Sequence, residues 1–296
     1  MGGYPGIFYA AKYYQKNSRE VINYSKKTVP DLSSLRILFI DTIVVKPDTN
    51  EYIANKLLKP LGKIMLQEPI EVVTPILSLP EHAGAIISFR DYLGPGKLEE
   101  FEQSYNQQDN TTTTKKKVVF ASGRSREVWE CILDADALRR RKVVVLATTT
   151  SSGITGGDEA GCLKVGSHGF PFPNSSIAIV DPETSLLCPS DTIGEVWIDA
   201  PSLADGFWGI PVLTDAVYHA SPILVPAETL YPETYDQQFV RTGLLGTMIG
   251  GRLVVLGSYE DRVRQQRLGN ELGVEETHIN ADIINTIAKK SRVDSW

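Results

Sequence analysis

The sequence has little of what secreted, membrane-spanning or nucleic-acid-binding proteins require. Its three cysteines, Cys131, Cys162 and Cys188, show neither CxxC nor Cys/His ligand spacing, so neither a disulfide framework nor a zinc module is indicated. No stretch approaches the roughly 18 apolar residues of a membrane span, and the first residues lack the charged start and apolar run of a signal peptide. The net charge of −6 argues against general nucleic-acid binding. We expect a cytoplasmic protein with no membrane span and no nucleic-acid partner.

The first hundred residues show the alternation that is typical of an α/β protein. The chain has 296 residues, of which 42% are hydrophobic, so it is long enough to bury a substantial core. The pattern predicts a buried strand at residues 35–40, a helix at 48–61, a second strand around 72–73 and a third at 85–89. A strand, a helix and a strand within this length indicate a parallel unit.

A polar segment separates this region from further strands. Residues 103–117 are rich in Asn, Gln and Thr, end in three lysines and predict an exposed insertion loop. Buried-strand patterns return at 118–120 and 143–147, with a weakly amphipathic segment at 126–138 between them. We expect the sheet to continue past the insertion.

From residue 166 onward, short strands separated by Gly and Pro predict a smaller antiparallel region. These strands are expected at 176–180, 193–198 and 252–256. A closing helix is predicted at 275–290, with its isoleucines on one face.

Two further features carry no predicted chemistry. The small-residue stretch at 148–157 resembles a phosphate loop, but Asp158 and Glu159 follow where a lysine would be needed, so a surface loop is the better interpretation. His219 and His278 receive no role, because no acidic or cysteine partner stands at a useful spacing.

Several short motifs occur in an order that resembles the adenylate-forming enzymes. The segments DLSSLR, GSHGFPFPN, GEVWI, PSLADGFW, RTGLLG and GSYEDRVR lie at 31–36, 166–174, 194–198, 201–208, 241–246 and 257–264. In that family the corresponding blocks are, in the same order, the entry to a strand, the segment that runs past the nucleotide base, the motif GEIW, the stretch from GPS to GYW, the motif RTGDLG and a hinge. Within the superfamily the chain resembles the fatty acyl-AMP ligase-like domains, and among these the disco-interacting protein family and its fungal relatives. Leu244 and the LSLPE segment at 77–81, which replaces YGxxE, favour that branch.

The resemblance implies an α/β fold that forms the second half of an adenylate-forming large subdomain. In this fold a mostly parallel sheet with helices is joined to a smaller β-rich lobe. We expect residues 1–165 to form the α/β part, residues 166–256 the lobe, and residues 257–296 the hinge and the start of an incomplete C-terminal subdomain.

The chemistry that the resemblance implies is the joining of a carboxylic acid to AMP, with ATP and magnesium as cofactors. Glu81 matches the acidic residue of YGxxE and is the candidate catalytic residue and Mg ligand, or alternatively a helix-start carboxylate. Leu244 and Ser258 stand at degenerate nucleotide-binding positions, where the family has an aspartate and an arginine that contact the ribose. Glu260 and Asp261 match the hinge, with a solvated turn as the alternative.

Two parts of the family's machinery have no match in the sequence. These are the phosphate loop, expected before residue 31, and the catalytic lysine, expected well beyond the hinge. We therefore expect a partial domain that does not adenylate fatty acids alone, and whose partners are a fatty acid or acyl lipid and the remainder of a parent protein or another chain. The alternative is a non-catalytic acyl-lipid-binding or protein-interaction module. A partial sequence that folds poorly, with exposed apolar surface, is the third possibility.

Overall fold

A computed structural model describes residues 2–22, 31–62, 68–80, 88–89, 129–148, 161–171, 175–225, 231–266 and 275–291. The helices in these ranges are α1 (Tyr4–Ile22), α2 (Pro47–Ile53), α3 (Lys59–Leu61), α4 (Pro69–Val72), α5 (Ala135–Arg139), α6 (Pro211–Tyr218) and α7 (Asn280–Ser291). The strands are β1 (Gly2–Gly3), β2 (Leu38–Asp41), β3 (Val73–Ile76), β4 (Ser88–Phe89), β5 (Glu130–Asp134), β6 (Val145–Thr148), β7 (Cys162–Gly166), β8 (Phe170–Pro171), β9 (Ser176–Val180), β10 (Gly194–Asp199), β11 (Ile223–Leu224), β12 (Glu233–Thr234), β13 (Val240–Ile249), β14 (Arg252–Ser258), β15 (Val263–Gln266) and β16 (Glu275–His278).

The first part of the chain forms a parallel sheet in the order β1, β2, β3. Leu38 of β2 lies opposite Val73 of β3, and the connection between these strands passes through α2, a π-helical turn and α3. A parallel pair needs such a crossover, because the chain must return to the same end of the sheet. Ile53 and Leu58 of the crossover pack in one fully buried cluster with the sheet residue Ile40. The predicted parallel unit is confirmed.

A separate sheet follows in the order β6, β5, β7, and both of its ladders are antiparallel. Within the described ranges this sheet is not joined to the parallel one, so the expected continuation of the parallel sheet is not observed. The segment predicted as amphipathic at 126–138 is instead strand β5 followed by α5, as far as it is described. Asp134 ends the strand and begins the helix, because its side chain accepts hydrogen bonds from the backbone N–H groups of Asp136 and Ala137. The predicted burial of 143–147 is wrong, since Leu146 is 52% exposed.

The β-rich region is a sheet in the order β14, β13, β10, β9, in which every pair is antiparallel. Alternate residues of strands β13 and β14 face two different buried clusters. Leu244 and Val255 pack in one cluster, and Leu245 and Val254 pack in the other. The predicted antiparallel region is confirmed, whereas the exact domain boundaries stay predictions.

The C-terminal part is a hairpin of β15 and β16 followed by α7, with Val263 opposite His278. The helix predicted from residue 275 therefore begins only at Asn280, because the preceding residues pair with β15. Ile279 is buried, whereas Ile287 is exposed, so the predicted apolar face is buried only in part.

Several predicted features lie outside the described residues. These are Glu81, the insertion loop at 103–117, the strand at 118–120 and most of the stretch at 148–157. Of the third predicted strand, only β4 is described, and it pairs with β8. Among the helices that the structure describes, none is both long and apolar enough to cross a membrane.

Candidate functional site

The RTG segment at residues 241–243, near the start of strand β13, is held by a buried carboxylate of the GEVWI segment. Glu195 of β10 is 4% exposed and accepts hydrogen bonds from Arg241 Nη2 at 2.8 Å and Nε at 3.1 Å. The backbone N–H of Gly243 also donates to Glu195, at 3.1 Å. Gly243 has a φ of +67°, in the left-handed region that glycine adopts without strain. Two motifs separated in the sequence therefore form one rigid unit.

The Arg241 guanidinium has an aromatic neighbour as well as its carboxylate partner. It lies 5.4 Å from the ring centroid of Trp197, which faces Arg241 across the β10 and β13 pair. A cation at this distance from an indole ring is attracted by the ring's quadrupole. The arginine is thus contacted from two sides, and it orients the part of β13 that precedes Leu244.

Leu244, the predicted degenerate ribose position, lies in the core. Its side chain is 6% exposed and packs in a cluster with Leu77 and Leu79 of the LSLPE segment and with Tyr218. Two places where the sequence differs from the family's motifs therefore lie together in the structure: Leu244 of RTGLLG, and the leucines Leu77 and Leu79 just before Glu81. A leucine in an apolar cluster offers no acceptor to a ribose hydroxyl.

Ser258, the second degenerate position, lies opposite Leu244 in the β13 and β14 pair. Its N–H donates to Asn280 Oδ1 at 3.4 Å, and its Oγ accepts from the backbone N–H of Glu260 at 3.3 Å. The next N–H, from Tyr259, donates to the carbonyl of Gly243 at 2.8 Å. The two predicted positions are thus neighbours, and a hydrogen bond joins the RTG segment to the predicted hinge region.

The predicted hinge residues Glu260 and Asp261 are exposed at the end of β14. Asp261 Oδ2 accepts a hydrogen bond from Asn280 Nδ2 at 3.2 Å, at the start of α7. The following Arg262 lies over the ring of Tyr259 at 3.4 Å and approaches Glu183 at 3.5 Å. Glu183 lies in the turn after β9, so its ion-pair partner Arg262 is distant in the chain.

The sequence prediction for two histidines needs correction. His219 Nδ1 lies 3.0 Å from Asp215, and His278 Nδ1 lies 3.0 Å from Asp282, so both have an acidic partner four residues away on or beside a helix. This i, i+4 spacing is the signal that could have found them. His168, inside the GSHGFPFPN segment, is fully buried, and burial lowers its pKa to about 4 despite a hydrogen bond to the carbonyl of Thr42. It is neutral at pH 7 and acts as a core residue.

The described residues do not fit a bound ribose as the family binds it. At the two positions where an aspartate and an arginine would contact the hydroxyls, the chain has a buried leucine and a serine whose Oγ accepts a hydrogen bond from the N–H of Glu260. Across the described ranges, no group of three or more His, Cys, Asp or Glu side chains could hold a metal ion. Glu81, the predicted Mg ligand, lies outside those ranges, and its role stays a prediction.

Sequence comparisons relate the chain to parts of longer proteins. No protein-family model matches the chain. It is 35% identical over 293 residues to an uncharacterized protein of Schizosaccharomyces pombe, covering 97% of this chain and 18% of that protein. It is 26% identical over 267 residues to the "Homeostatic regulator of DAG" of Saccharomyces cerevisiae, covering 83% of this chain and 15% of that protein. It is also 39% identical over 97 residues to a long-chain-fatty-acid–AMP ligase of Mycobacterium marinum, which is 33% of this chain and 16% of the ligase. The chain thus spans less than a fifth of the length of each of these relatives.

Structural comparison identifies the fold. A solved structure from a study of fatty acyl-adenylate ligases of E. coli and L. pneumophila matches with a TM-score of 0.59 and 16% identity, covering 97% of this chain and 38% of that one. The chain therefore has the fold of part of an adenylate-forming ligase, and the predicted resemblance to the fatty acyl-AMP ligase-like domains is confirmed, whereas the predicted branch within them stays a prediction.

Proposed function

We propose that this chain supplies the β-rich lobe and hinge of a fatty acyl-AMP ligase-like domain that serves lipid metabolism, and that it does not by itself join fatty acids to AMP. The similarity to a mycobacterial long-chain-fatty-acid–AMP ligase supports the family part of this proposal. The lipid context is supported by the yeast relative whose name describes it as a homeostatic regulator of DAG. In this proposal, residues 1–165, 166–256 and 257–296 are the α/β part, the lobe, and the hinge with the following segment.

One observation carries the proposal that nucleotide recognition is lost. The segment of β13 that would present a ribose contact is ordered by hydrogen bonds, since Glu195 accepts from both Arg241 and Gly243. At its end, however, stands the buried Leu244, and opposite it stands Ser258. A hydrogen bond from a hydroxyl to a carboxylate contributes about 1.5–3 kcal/mol, and a leucine cannot provide it. The hydrogen-bonded segment is therefore present, but the residues at the two predicted ribose-contact positions differ from those of the family.

A pyrophosphate-exchange assay tests the proposal. The purified 296-residue protein would be incubated with ATP, magnesium, labelled pyrophosphate and either a medium-chain or a long-chain fatty acid. We expect no exchange above the protein-free background, while an active fatty acyl-AMP ligase assayed in parallel exchanges readily. Fatty-acid-dependent exchange by this chain alone would refute the proposal.

A specific observation favours a second candidate, a non-catalytic module that binds acyl lipids. The β-rich region has a cleft of about 420 Å³ beside the edge strand β9, with an apolar floor that includes Ile179, Phe239 and Met248 and a rim that includes Ser190. This volume lies within the range of small-molecule sites, which are about 300–1,000 Å³ and mostly apolar. The acyl chain of a fatty acid would match such a lining.

Thermal shift separates the two candidates, because a ligand that binds only the folded state raises Tm. Stabilisation by fatty acid but not by ATP–magnesium would support the module. Its loss in Ser190→Trp, a change at an exposed rim position that fills the cleft, would place the lipid there. Stabilisation by both ligands would instead favour a functional ligase domain completed by another chain.

A further inference from the structure

The segment that follows the hinge is held by a buried ion pair to a helix far away in the sequence. Asp282 of α7 has a side chain that is only 2% exposed. Its two oxygens accept hydrogen bonds from Arg139 at the end of α5, from Nε at 3.0 Å and from Nη2 at 3.0 Å. This two-pronged geometry matches the planar guanidinium to the planar carboxylate, and it is the strongest form of such a pair.

Other groups keep the Asp282 carboxylate charged. His278 Nδ1 lies 3.0 Å from Oδ2, and the hydroxyl of Thr286 donates to Oδ1 at 3.5 Å. Burial alone would raise the pKa of Asp282, but the hydrogen bonds from Arg139 and His278 outweigh it and lower the pKa. The pair is therefore ionised at neutral pH. Removing Arg139 would leave the buried Asp282 carboxylate without its arginine partner, whereas removing Asp282 would leave Arg139 paired with the exposed Asp136.

Apolar and backbone contacts lie along the same seam. Ile279 and Ala281 are buried in a core cluster that contains Leu133 and Leu138 of the β5 and α5 region and also Leu245 of β13 and Val254 of β14. Asn285 donates from Nδ2 to the carbonyl of Cys162 at 3.0 Å. The segment after the predicted hinge thus packs against both the β5 and α5 region and the sheet of β13 and β14.

The contacts at the hinge itself are more exposed. Glu183, whose side chain is 45% exposed, meets Arg262 and Arg264. Asn280 joins Ser258 and Asp261. Exposed ion pairs contribute little to stability, with measured values of about 0–1 kcal/mol. The buried pair is therefore the contact whose removal should matter most for the docked segment.

We propose that the Arg139–Asp282 pair is a latch that fastens residues 275–291 to helix α5, and that releasing it frees this segment without unfolding the sheet of β13 and β14. The hinge in this proposal is the one included in the proposed function, but the latch does not depend on any catalytic activity. Motion about residues 259–261 would be limited by this latch rather than by the hinge residues themselves.

Native-state hydrogen exchange with mass spectrometry tests the latch in the full chain. In Asp282→Asn we expect the amides of residues 275–291 to exchange about tenfold faster or more, because the segment opens locally, while the amides of β13 and β14 keep their protection. The matched control is Asp136→Asn, which removes the exposed carboxylate that contacts the same arginine at 2.7 Å. For the control we expect less than about a threefold change in residues 275–291.

Arg139→Lys provides a second variant if Asp282→Asn does not fold. It keeps the positive charge but loses the two-pronged contact, so we expect faster exchange in residues 275–291 with β13 and β14 unchanged. Exchange at the wild-type rate in both variants would overturn the latch. A uniform increase in all elements would also overturn it, since the pair would then support the whole fold rather than one segment. Because no readout involves adenylation, failure of the latch and failure of the proposed function are distinguishable.

Discussion

Replacing Leu244 by aspartate restores the residue type that the adenylate-forming family has in its RTGDLG motif, and it is the most informative single change. The side chain of Leu244 is 6% exposed and packs with Leu77, Leu79 and Tyr218. We expect Leu244→Asp to destabilise the protein and to confer no affinity for nucleotide. The reason is that the carboxyl group would enter an apolar cluster rather than a polar pocket.

The magnitude follows from the burial of this side chain. Removing a buried leucine loses about 3 kcal/mol of transfer free energy. A carboxyl group in the same place, even when protonated, costs about 2 kcal/mol more for its unsatisfied polar atoms. The total of about 5 kcal/mol is a large share of the stability of an ordinary domain, and for a chain of this size it corresponds to a Tm decrease of about 10–20 °C.

Differential scanning fluorimetry and urea unfolding measure the effect, with Leu244→Met as the control. Methionine keeps the volume and polarity of leucine, so its cost should stay below about 1.5 kcal/mol. If Leu244→Asp kept the wild-type Tm and gained stabilisation by ATP–magnesium, the side chain would face a nucleotide pocket, and the burial argument would be wrong.

Three further predictions concern buried polar groups. Hydrogen bonds lower the pKa of Asp282 in the folded protein despite its burial. The ionised carboxylate therefore stabilises the fold at pH values above the unfolded-state pKa of about 3.9. The Tm advantage of the wild type over Asp282→Asn should therefore shrink as the pH falls from about 5 to about 2, and a constant difference would contradict this. Glu195→Gln should lower the free energy of unfolding by about 2–4 kcal/mol in urea titrations, because Arg241 loses its charged partner; a loss below about 0.5 kcal/mol would show that the pair contributes little. Burial raises the pKa of the Cys131 thiol to about 12, so iodoacetamide at pH 8 should label Cys131 only after unfolding, and its rapid labelling in the folded protein, read by mass spectrometry, would contradict its burial.

Local sequence patterns were sufficient where an element buries a regular apolar face. The run ending at Ile40 and the helical spacing of Ile53 and Leu58 predicted a strand and a crossover helix, and these residues form one buried cluster. The order of short motifs also located Leu244 and Ser258, and the structure places them opposite each other. In both cases the information lies within a few neighbouring residues or in a motif.

The patterns failed where pairing with a distant segment decides the local structure. Strand β5 begins with Glu130 and ends with Asp134, so it does not look like a buried strand, yet β6 and β7 pair with it on both sides. Strand β16 is polar throughout and extended because it pairs with β15. Arg139 and Asp282 are separated by 143 positions, and no local pattern indicates that they meet. Such contacts depend on the completed fold.

The central claim is that this chain has the adenylate-forming fold but does not bind the nucleotide. Isothermal titration calorimetry of ATP–magnesium into the purified 296-residue protein tests it most directly. With Leu244 and Ser258 at the ribose positions, we predict no saturable binding up to about 1 mM ATP, which corresponds to a binding free energy weaker than about −4 kcal/mol. A saturable isotherm with a micromolar Kd would show that the chain retains a nucleotide site and that these two positions do not determine its affinity.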